Sequence, residues 1–165
     1  MKKYIIPTVL VVLTACVSST TVAPEIANQI PPDANIINVS SELTKGELYT
    51  VIYRNLAQKG FSFTTENQEM GTLTTGFKDI GQGTVLSMNI FIDDTDEGSR
   101  AIVRGSWHVT ASTGFGLSAM SGGASAGQTG ERADWGSSGR PKLAFGEMAV
   151  IMNSLQNVRV EYFAE

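Results

Sequence analysis

The sequence predicts an α+β fold: an antiparallel sheet of about four to six strands with two helices on one face. Between residues 61 and 109, apolar side chains alternate with polar ones, which is typical of half-buried strands. The segments before and after this run have apolar side chains at helical spacing instead. Because four strands follow one another, the order β-α-β-β-β-β-α-β does not fit alternating strand–helix crossovers, and it favours helices gathered on one sheet face.

The first strand and helix of this domain have the clearest local signals. Residues 35–40 (NIINVS) form a β-branched run that predicts a strand. Thr44 and Glu47 have the spacing of a capping box, in which both side chains accept hydrogen bonds from backbone N–H groups at a helix start. Gly60 suits a left-handed cap, so we expect a helix over residues 45–59. Its apolar stripe consists of Leu48, Val51, Ile52 and Leu56. Tyr49 and Tyr53 flank this stripe, either as edge residues or as a binding face.

Four strands are predicted in succession between Phe61 and Val109, and the short polar turns that join them indicate an antiparallel meander. The apolar face of the last two strands consists of Leu86, Met88, Ile90, Ile92, Ala101, Val103, Gly105, Trp107 and Val109. The opposite face, which suits solvent or a partner, consists of Ser87, Asn89, Arg104, Ser106 and His108.

The C-terminal part of the chain contains a long loop, a helix and a strand. Residues 110–139 are rich in Gly, Ser and Ala, and a loop of this length is either functional or disordered. Trp135 either anchors this loop to the domain, which we favour, or exposes its ring to a partner. Pro141 fits the first turn of a second helix. Residues 157–163 alternate and predict a last strand at a sheet edge.

The N-terminus has the pattern of a secretory signal. Lys2 and Lys3 precede an apolar run of about ten residues, which ends at small residues. A helix needs about 20 apolar residues to cross a hydrocarbon core of about 30 Å, so this run is too short for a transmembrane anchor. We expect residues 1–15 to be a signal peptide that is removed.

The four residues Leu13-Thr14-Ala15-Cys16 resemble the lipobox of bacterial lipoproteins. This resemblance implies that the lipoprotein signal peptidase recognises Leu13, Thr14 and Ala15. It also implies that the Cys16 sulfur carries a diacylglyceryl group and that the new amine is acylated by a fatty acid such as palmitate. Val17 is not Asp, which in such lipoproteins favours the outer membrane. An ordinary signal peptide with an incidental cysteine is the alternative.

The mature chain divides into a tether and a domain. Residues 16–34 contain Pro24, Pro31 and Pro32 and no regular period, so we expect a flexible spacer, followed by a single domain over residues 35–165. Ile26 and Ile30, four residues apart, could instead mark a short docked helix. Without Lys2 and Lys3, ten basic residues remain against 16 acidic ones, so the mature net charge is −6. Anionic headgroups repel such a domain, which should stand off the membrane.

Composition and motifs offer little chemistry. The net charge of −4 argues against nucleic-acid binding, because binding phosphates needs a basic face. One cysteine and one histidine exclude the common zinc sites, and we expect no cofactor and no bound metal ion. A catalytic role for His108 is the lesser alternative to a surface histidine. The acidic run Asp93, Asp94, Asp96 and Glu97 resembles part of a calcium loop, although a solvated hairpin turn fits it better.

The helix at 45–59, followed by Gly60-Phe61-Ser62-Phe63 and Gly71-Thr72-Leu73-Thr74-Thr75, resembles the small helix-plus-sheet domains of accessory lipoproteins of outer-membrane assembly such as BamC. Such domains bind partners through surfaces. We therefore expect a non-enzymatic accessory or interaction module at the periplasmic face of the outer membrane, with Trp135, Phe115 and His108 as candidate partner-binding residues. A carrier of a small apolar ligand or lipid, and a hydrolase built around His108, are the alternatives.

Overall fold

The predicted α+β class is confirmed by a computed structural model, which describes residues 22–110 and 130–165. Three helices lie in these residues: α1 (Pro24–Ala27), α2 (Lys45–Gln58) and α3 (Arg140–Asn153). Eight strands lie there as well: β1 (Ile36–Ser41), β2 (Phe63–Asn67), β3 (Thr72–Thr75), β4 (Lys78–Asp79), β5 (Thr84–Thr95), β6 (Gly98–Val109), β7 (Glu131–Arg132) and β8 (Arg159–Phe163).

The strands form one antiparallel sheet in the order β2-β3-β5-β6-β1-β8. The strands β2, β3, β5 and β6 form the predicted meander. Strand β4 pairs with β5 and β7 pairs with β6, so the sheet has eight strands and not the four to six that we predicted. Each of these two additional strands has 2 residues, which is too few to show an alternating pattern in the sequence.

Helix α2 begins with the predicted capping box. The Thr44 hydroxyl accepts a hydrogen bond from the Glu47 N–H over 3.4 Å, and the Glu47 carboxylate accepts one from the Thr44 N–H over 3.0 Å. The helix ends one residue earlier than predicted, with Lys59 as its C-cap. Gly60 follows at φ 82°, and Phe61 folds back so that its N–H donates to the Leu56 carbonyl over 3.0 Å.

Helices α2 and α3 cover one face of the sheet, and the core lies between them and the central strands. Gly105 on β6 has no Cβ, which leaves room for the Met148 side chain of α3 to approach the strand. The largest fully buried side chains are Ile37, Leu48, Ile52, Leu56, Leu73, Leu86, Met88, Ile92, Phe145, Met148, Ile151 and Met152. The apolar face predicted for β5 and β6 and the predicted stripe of α2 therefore meet α3 in one core, apart from the exposed Val109 and the half-buried Val51.

The prediction of a flexible tether over residues 16–34 is wrong for residues 22–34. Pro24–Ala27 form α1, the Ile30 side chain is 6% exposed, and Ile26 packs against the core. The alternative of a short docked helix fits this segment. Ile30 lies beyond the end of α1, so this segment is held against the domain by the buried Ile30 and Ala34 and by the contact of Ile26 with the core.

Residues 130–139, which we predicted to be part of a long loop over residues 110–139, contain regular structure. Strand β7 pairs with Ser106 and Trp107 of β6, and the N–H of the fully buried Ala133 donates to the Gly105 carbonyl over 3.0 Å. The Asp134 carboxylate then accepts hydrogen bonds from the N–H and hydroxyl of Ser137 over 2.6 and 2.9 Å. This part of the segment completes the sheet instead of leaving it. Residues 111–129 lie outside the described residues.

Candidate interaction surface

The sheet face opposite α2 and α3 carries exposed aromatic side chains. We call this surface the open face; its members are Ile36, Asn38, Thr72, Thr74, Phe77, Val85, Ser87, Asn89, Phe91, Ile102, Arg104, Ser106, His108, Glu161 and Phe163. Phe77, Phe91 and Phe163 are 42%, 42% and 44% exposed. No helix of the described residues covers this face. Exposed apolar side chains on one surface are typical of interaction sites, whereas single exposed ones need no explanation.

The strand register brings these side chains into rows that run across the sheet. One row contains Thr72, Phe91, Ile102, Asn38 and Glu161, each opposite the next on the neighbouring strand. The adjacent row contains Thr74, Asn89, Arg104, Ile36 and Phe163. Arg104 also forms an ion pair with Glu165 over 2.9 Å. The open face thus combines apolar rings with polar groups, as protein-binding surfaces do.

His108 lies on the open face, as the alternation of β6 predicts, opposite Val85 of β5. Its ring meets the edge of Phe77, with 4.2 Å between the ring centroids and 67° between the planes. Its Nδ1 atom is buried and has no hydrogen-bond partner in the part of the chain that the structure describes. Within that part, neither a hydroxyl nor a carboxylate is hydrogen-bonded to His108, so its ring belongs to an aromatic pair and not to a chain of polar groups.

Trp135 lies at the opposite side of the domain and is partly buried. Its ring contacts Phe145 of α3 at 6.3 Å between centroids, and Lys142 Nζ lies 4.4 Å above it. The backbone N–H of Trp135 donates a hydrogen bond to the Ala34 carbonyl over 2.8 Å. These contacts join residues 130–139 to both α3 and the segment before β1. Phe115, the third candidate partner-binding residue, lies outside the described residues.

The acidic run lies at the end of β5 and in the turn to β6: Asp93 and Asp94 are strand residues, and Asp96 and Glu97 follow them. Thr95 lies opposite Gly98, so Asp96 and Glu97 form a hairpin loop of two residues. Among residues 22–110 and 130–165, no group of three or more His, Cys, Asp or Glu side chains could hold a metal ion. The geometry therefore fits the solvated turn and not a calcium loop.

A cleft of about 350 Å³ lies where α2 meets β2 and is lined by Tyr49, Thr50, Tyr53, Glu66 and Gln68. Tyr53 stacks on Phe63 with 4.4 Å between ring centroids, and Tyr49 lies parallel to Tyr53 at 6.4 Å. Burial raises the pKa of Tyr49, and the Glu66 carboxylate raises it further. Because Tyr49 is 6% exposed, it belongs to the core and not to a binding face.

The sequence pattern did not identify two exposed rings of the open face, Phe91 and Phe163. Phe91 lies between the buried Ile90 and Ile92, and Phe163 is the last residue of β8. The signal was present for Phe91, since alternation places it on the same face as Asn89. The position of Phe163 on the open face depends on the pairing of β8 with β1, which a local sequence pattern cannot predict.

Leu13, Thr14, Ala15 and Cys16, which resemble a lipobox, lie outside the described residues. Within those residues, the helices are all too short or too polar to cross a membrane. Comparison with known proteins found no protein-family model and no curated protein that matches this chain.

Proposed function

We propose that this protein is a lipid-anchored component of the bacterial cell envelope that acts without catalysis, as an accessory or interaction module at the periplasmic face of the outer membrane. The observation that carries the proposal is Leu13-Thr14-Ala15-Cys16 placed directly after a short apolar run with two lysines before it. Cys16 is the only cysteine in the chain, so lipidation also explains why a thiol is present at all.

The physics of the anchor supports this proposal. One acyl chain gives weak and reversible membrane binding, whereas two or three chains hold a protein stably, at about 0.8 kcal/mol per buried methylene. The mature chain, with its net charge of −6, is repelled by anionic headgroups. Such a domain remains in the aqueous space beside the membrane, where its open face is accessible to a partner.

The open face supports an interaction role more than a carrier role. A carrier of apolar ligands needs an enclosed apolar cavity. By contrast, a cleft of about 770 Å³ at the end of β1 is lined mainly by hydroxyl and charged side chains, among them Ser40, Glu42, Asp96 and Arg159. The apolar side chains of the sheet's other face are already buried against α2 and α3.

Lipidation is tested first, with Cys16→Ala and metabolic labelling by radioactive palmitate. The wild-type protein should take up label and lose residues 1–15, because the thiol is the acceptor and lipidation precedes cleavage. The alanine variant should remain unlabelled and unprocessed while its domain stays folded. Label on the alanine variant, or an unmodified wild-type protein that begins at Met1, would contradict the anchor.

The interaction role is tested with a photo-crosslinking amino acid at Phe91, in the middle of the open face. A matched probe at Gln58, exposed at the end of α2 on the other side of the domain, is the control. We expect a discrete crosslinked product in intact envelopes from position 91 and none from position 58. Equal products from both positions, or none from position 91, would contradict docking on the open face.

A further inference from the structure

We propose that the outer edge of β8 binds a second copy of this chain, so that two β8 strands pair antiparallel about a twofold axis at Val160 and the two sheets become continuous. This self-association goes beyond the proposed function and does not depend on lipid attachment. It uses the edge of the sheet, whereas the proposed partner uses the open face.

The backbone of β8 offers hydrogen-bonding groups on its outer side. β8 pairs with β1 alone, and within the described residues no other strand lies beyond it. The Phe163 carbonyl accepts a hydrogen bond from the Asn35 N–H over 2.9 Å, and the Asn157 carbonyl accepts one from the Ser41 hydroxyl over 3.0 Å, so both carbonyls face β1. Because backbone groups alternate along a strand, the N–H and C=O groups of Val160 and Tyr162 within β8 point outward. Such an edge readily adds a strand.

The charges on β8 select one register for a second copy. With the axis at Val160, Arg159 lies opposite Glu161 of the second copy, and this happens twice by symmetry. With the axis at Arg159 or at Glu161, like charges face each other, which destabilises a strand pair. An axis at Tyr162 overlaps as many residues of β8 as the axis at Val160, but it places Glu161 opposite the uncharged Phe163 of the second copy. The arrangement about Val160 is therefore the charge-complementary one.

The two charged side chains are available for this pairing. Arg159 and Glu161 form an ion pair within one copy over 2.7 Å, and their side chains are 79% and 38% exposed. In the paired strands they would form a group of four alternating charges on the open-face side. No large rearrangement is needed, because both side chains already lie at the edge.

The apolar side of β8 also gains cover from a second copy. Val158 and Val160 pack against the core but are only partly buried, because no strand of residues 22–110 and 130–165 lies beyond them. In the proposed register, Val160 meets Val160 of the second copy, and Val158 meets Tyr162 of the second copy. Removing these groups from water favours association.

The other edge of the sheet, β2, lacks these properties. Its pairing with β3 shifts register between Phe63 and Thr65, and such a bulge discourages the addition of a strand. Its one charged residue, Glu66, has no basic residue on the same strand to meet in a second copy. The self-complementary edge is therefore β8.

Sedimentation equilibrium of the full chain in detergent micelles tests the proposal by charge reversal. We expect a concentration-dependent dimer for the wild type, and dissociation constants about tenfold higher or more for Arg159→Glu and for Glu161→Arg, because each reversal places two like-charge pairs across the axis. The double reversal R159E/E161R should restore the wild-type dimer, since opposite charges face each other again. Glu66→Arg, on the other edge, should leave the dimer unchanged.

Hydrogen exchange gives a readout that does not depend on charge alone. The amide of Val160 should exchange more slowly at protein concentrations above the dissociation constant than below it, and this protection should be lost in Arg159→Glu. A wild type that stays monomeric, a double reversal that remains as weak as the single variants, or a Val160 amide indifferent to concentration would overturn the proposal.

Discussion

Glu47 shows how one exposed side chain makes the stability of the domain depend on pH. The hydrogen bonds that its carboxylate accepts from the Thr44 backbone and side chain lower its pKa below the ordinary value of 4.5. A carboxyl group with a lowered folded-state pKa stabilises the fold above its unfolded pKa, and this stabilisation is lost as the pH falls through the folded value. The capping box should therefore weaken in acid.

We predict that Glu47→Gln lowers the free energy of unfolding at neutral pH and that the difference from the wild type disappears well below pH 4.5. Glutamine is a neutral side chain of the same shape, so it resembles the protonated wild type. Urea unfolding at several pH values measures this difference. Thr44→Ala should cost about 1 kcal/mol at neutral pH, with Thr44→Ser near the wild type as its control. A difference between Glu47→Gln and wild type that does not vary with pH would contradict the prediction.

Two glycines with left-handed backbones allow the cost of backbone strain to be distinguished from the cost of a steric collision. Gly71 has φ 70° and Gly81 has φ 91°. A Cβ at Gly71 would collide with the Ile92 carbonyl, whereas a Cβ at Gly81 would meet no atom of the described residues within 4 Å. The conformational cost of alanine is similar at both positions, so the difference between them reports the collision.

We predict that Gly81→Ala lowers the free energy of unfolding by about 1–2 kcal/mol, the cost of a left-handed alanine. Gly71→Ala should lower it by about 3 kcal/mol or more, because a backbone atom of β5 would have to move as well. Denaturant unfolding of both variants measures the two costs. Equal losses would show that Gly71 is not held against β5.

At the residue scale, the sequence predicted those features that depend only on residues close together in the chain. The Thr44 and Glu47 capping box depends on residues three positions apart, and the structure has it where the sequence placed it. Phe163 belongs to the open face through its pairing with Ile36. That neighbour lies at the other end of the domain in sequence, so no local pattern could identify it.

At the scale of elements, α1 and the residues after it are the part of the domain that the sequence pattern did not favour. Prolines suggested an extended spacer, but Ile30 is buried at 6% exposure, and the Ala34 carbonyl accepts a hydrogen bond from Trp135. The segment is held by contacts with residues about a hundred positions later. The composition of the segment therefore could not predict these contacts.

We predict that Ile30→Ala lowers the free energy of unfolding by about 2–5 kcal/mol, the usual range for truncating a buried isoleucine. Gln29→Ala, at the exposed neighbouring position, should change it by less than about 0.5 kcal/mol. Thermal or urea unfolding of the two variants gives the comparison. If Ile30→Ala were as mild as Gln29→Ala, residues 22–34 would be a tether after all.

At the scale of the whole molecule, the sequence predicted the class, both long helices and the meander, because each of these repeats a pattern over many residues. The insertion of β1 between β6 and β8 was not predictable in the same way. It depends on pairings between strands that are far apart in the sequence. The candidate open face was predicted from alternation in β5 and β6, while its extension across β1 and β8 followed only from the topology.

The position of β1 has a consequence for the order in which the chain can fold. Its two neighbours are β6 and the final strand β8, and the Ser41 hydroxyl donates to the Asn157 carbonyl, 116 positions later. Contacts between such distant residues form slowly, because a long stretch of chain must first be closed. A chain whose residues 159–163 have not yet emerged lacks the strand that pairs with the outer side of β1. The sheet can therefore be complete only after these residues have joined it.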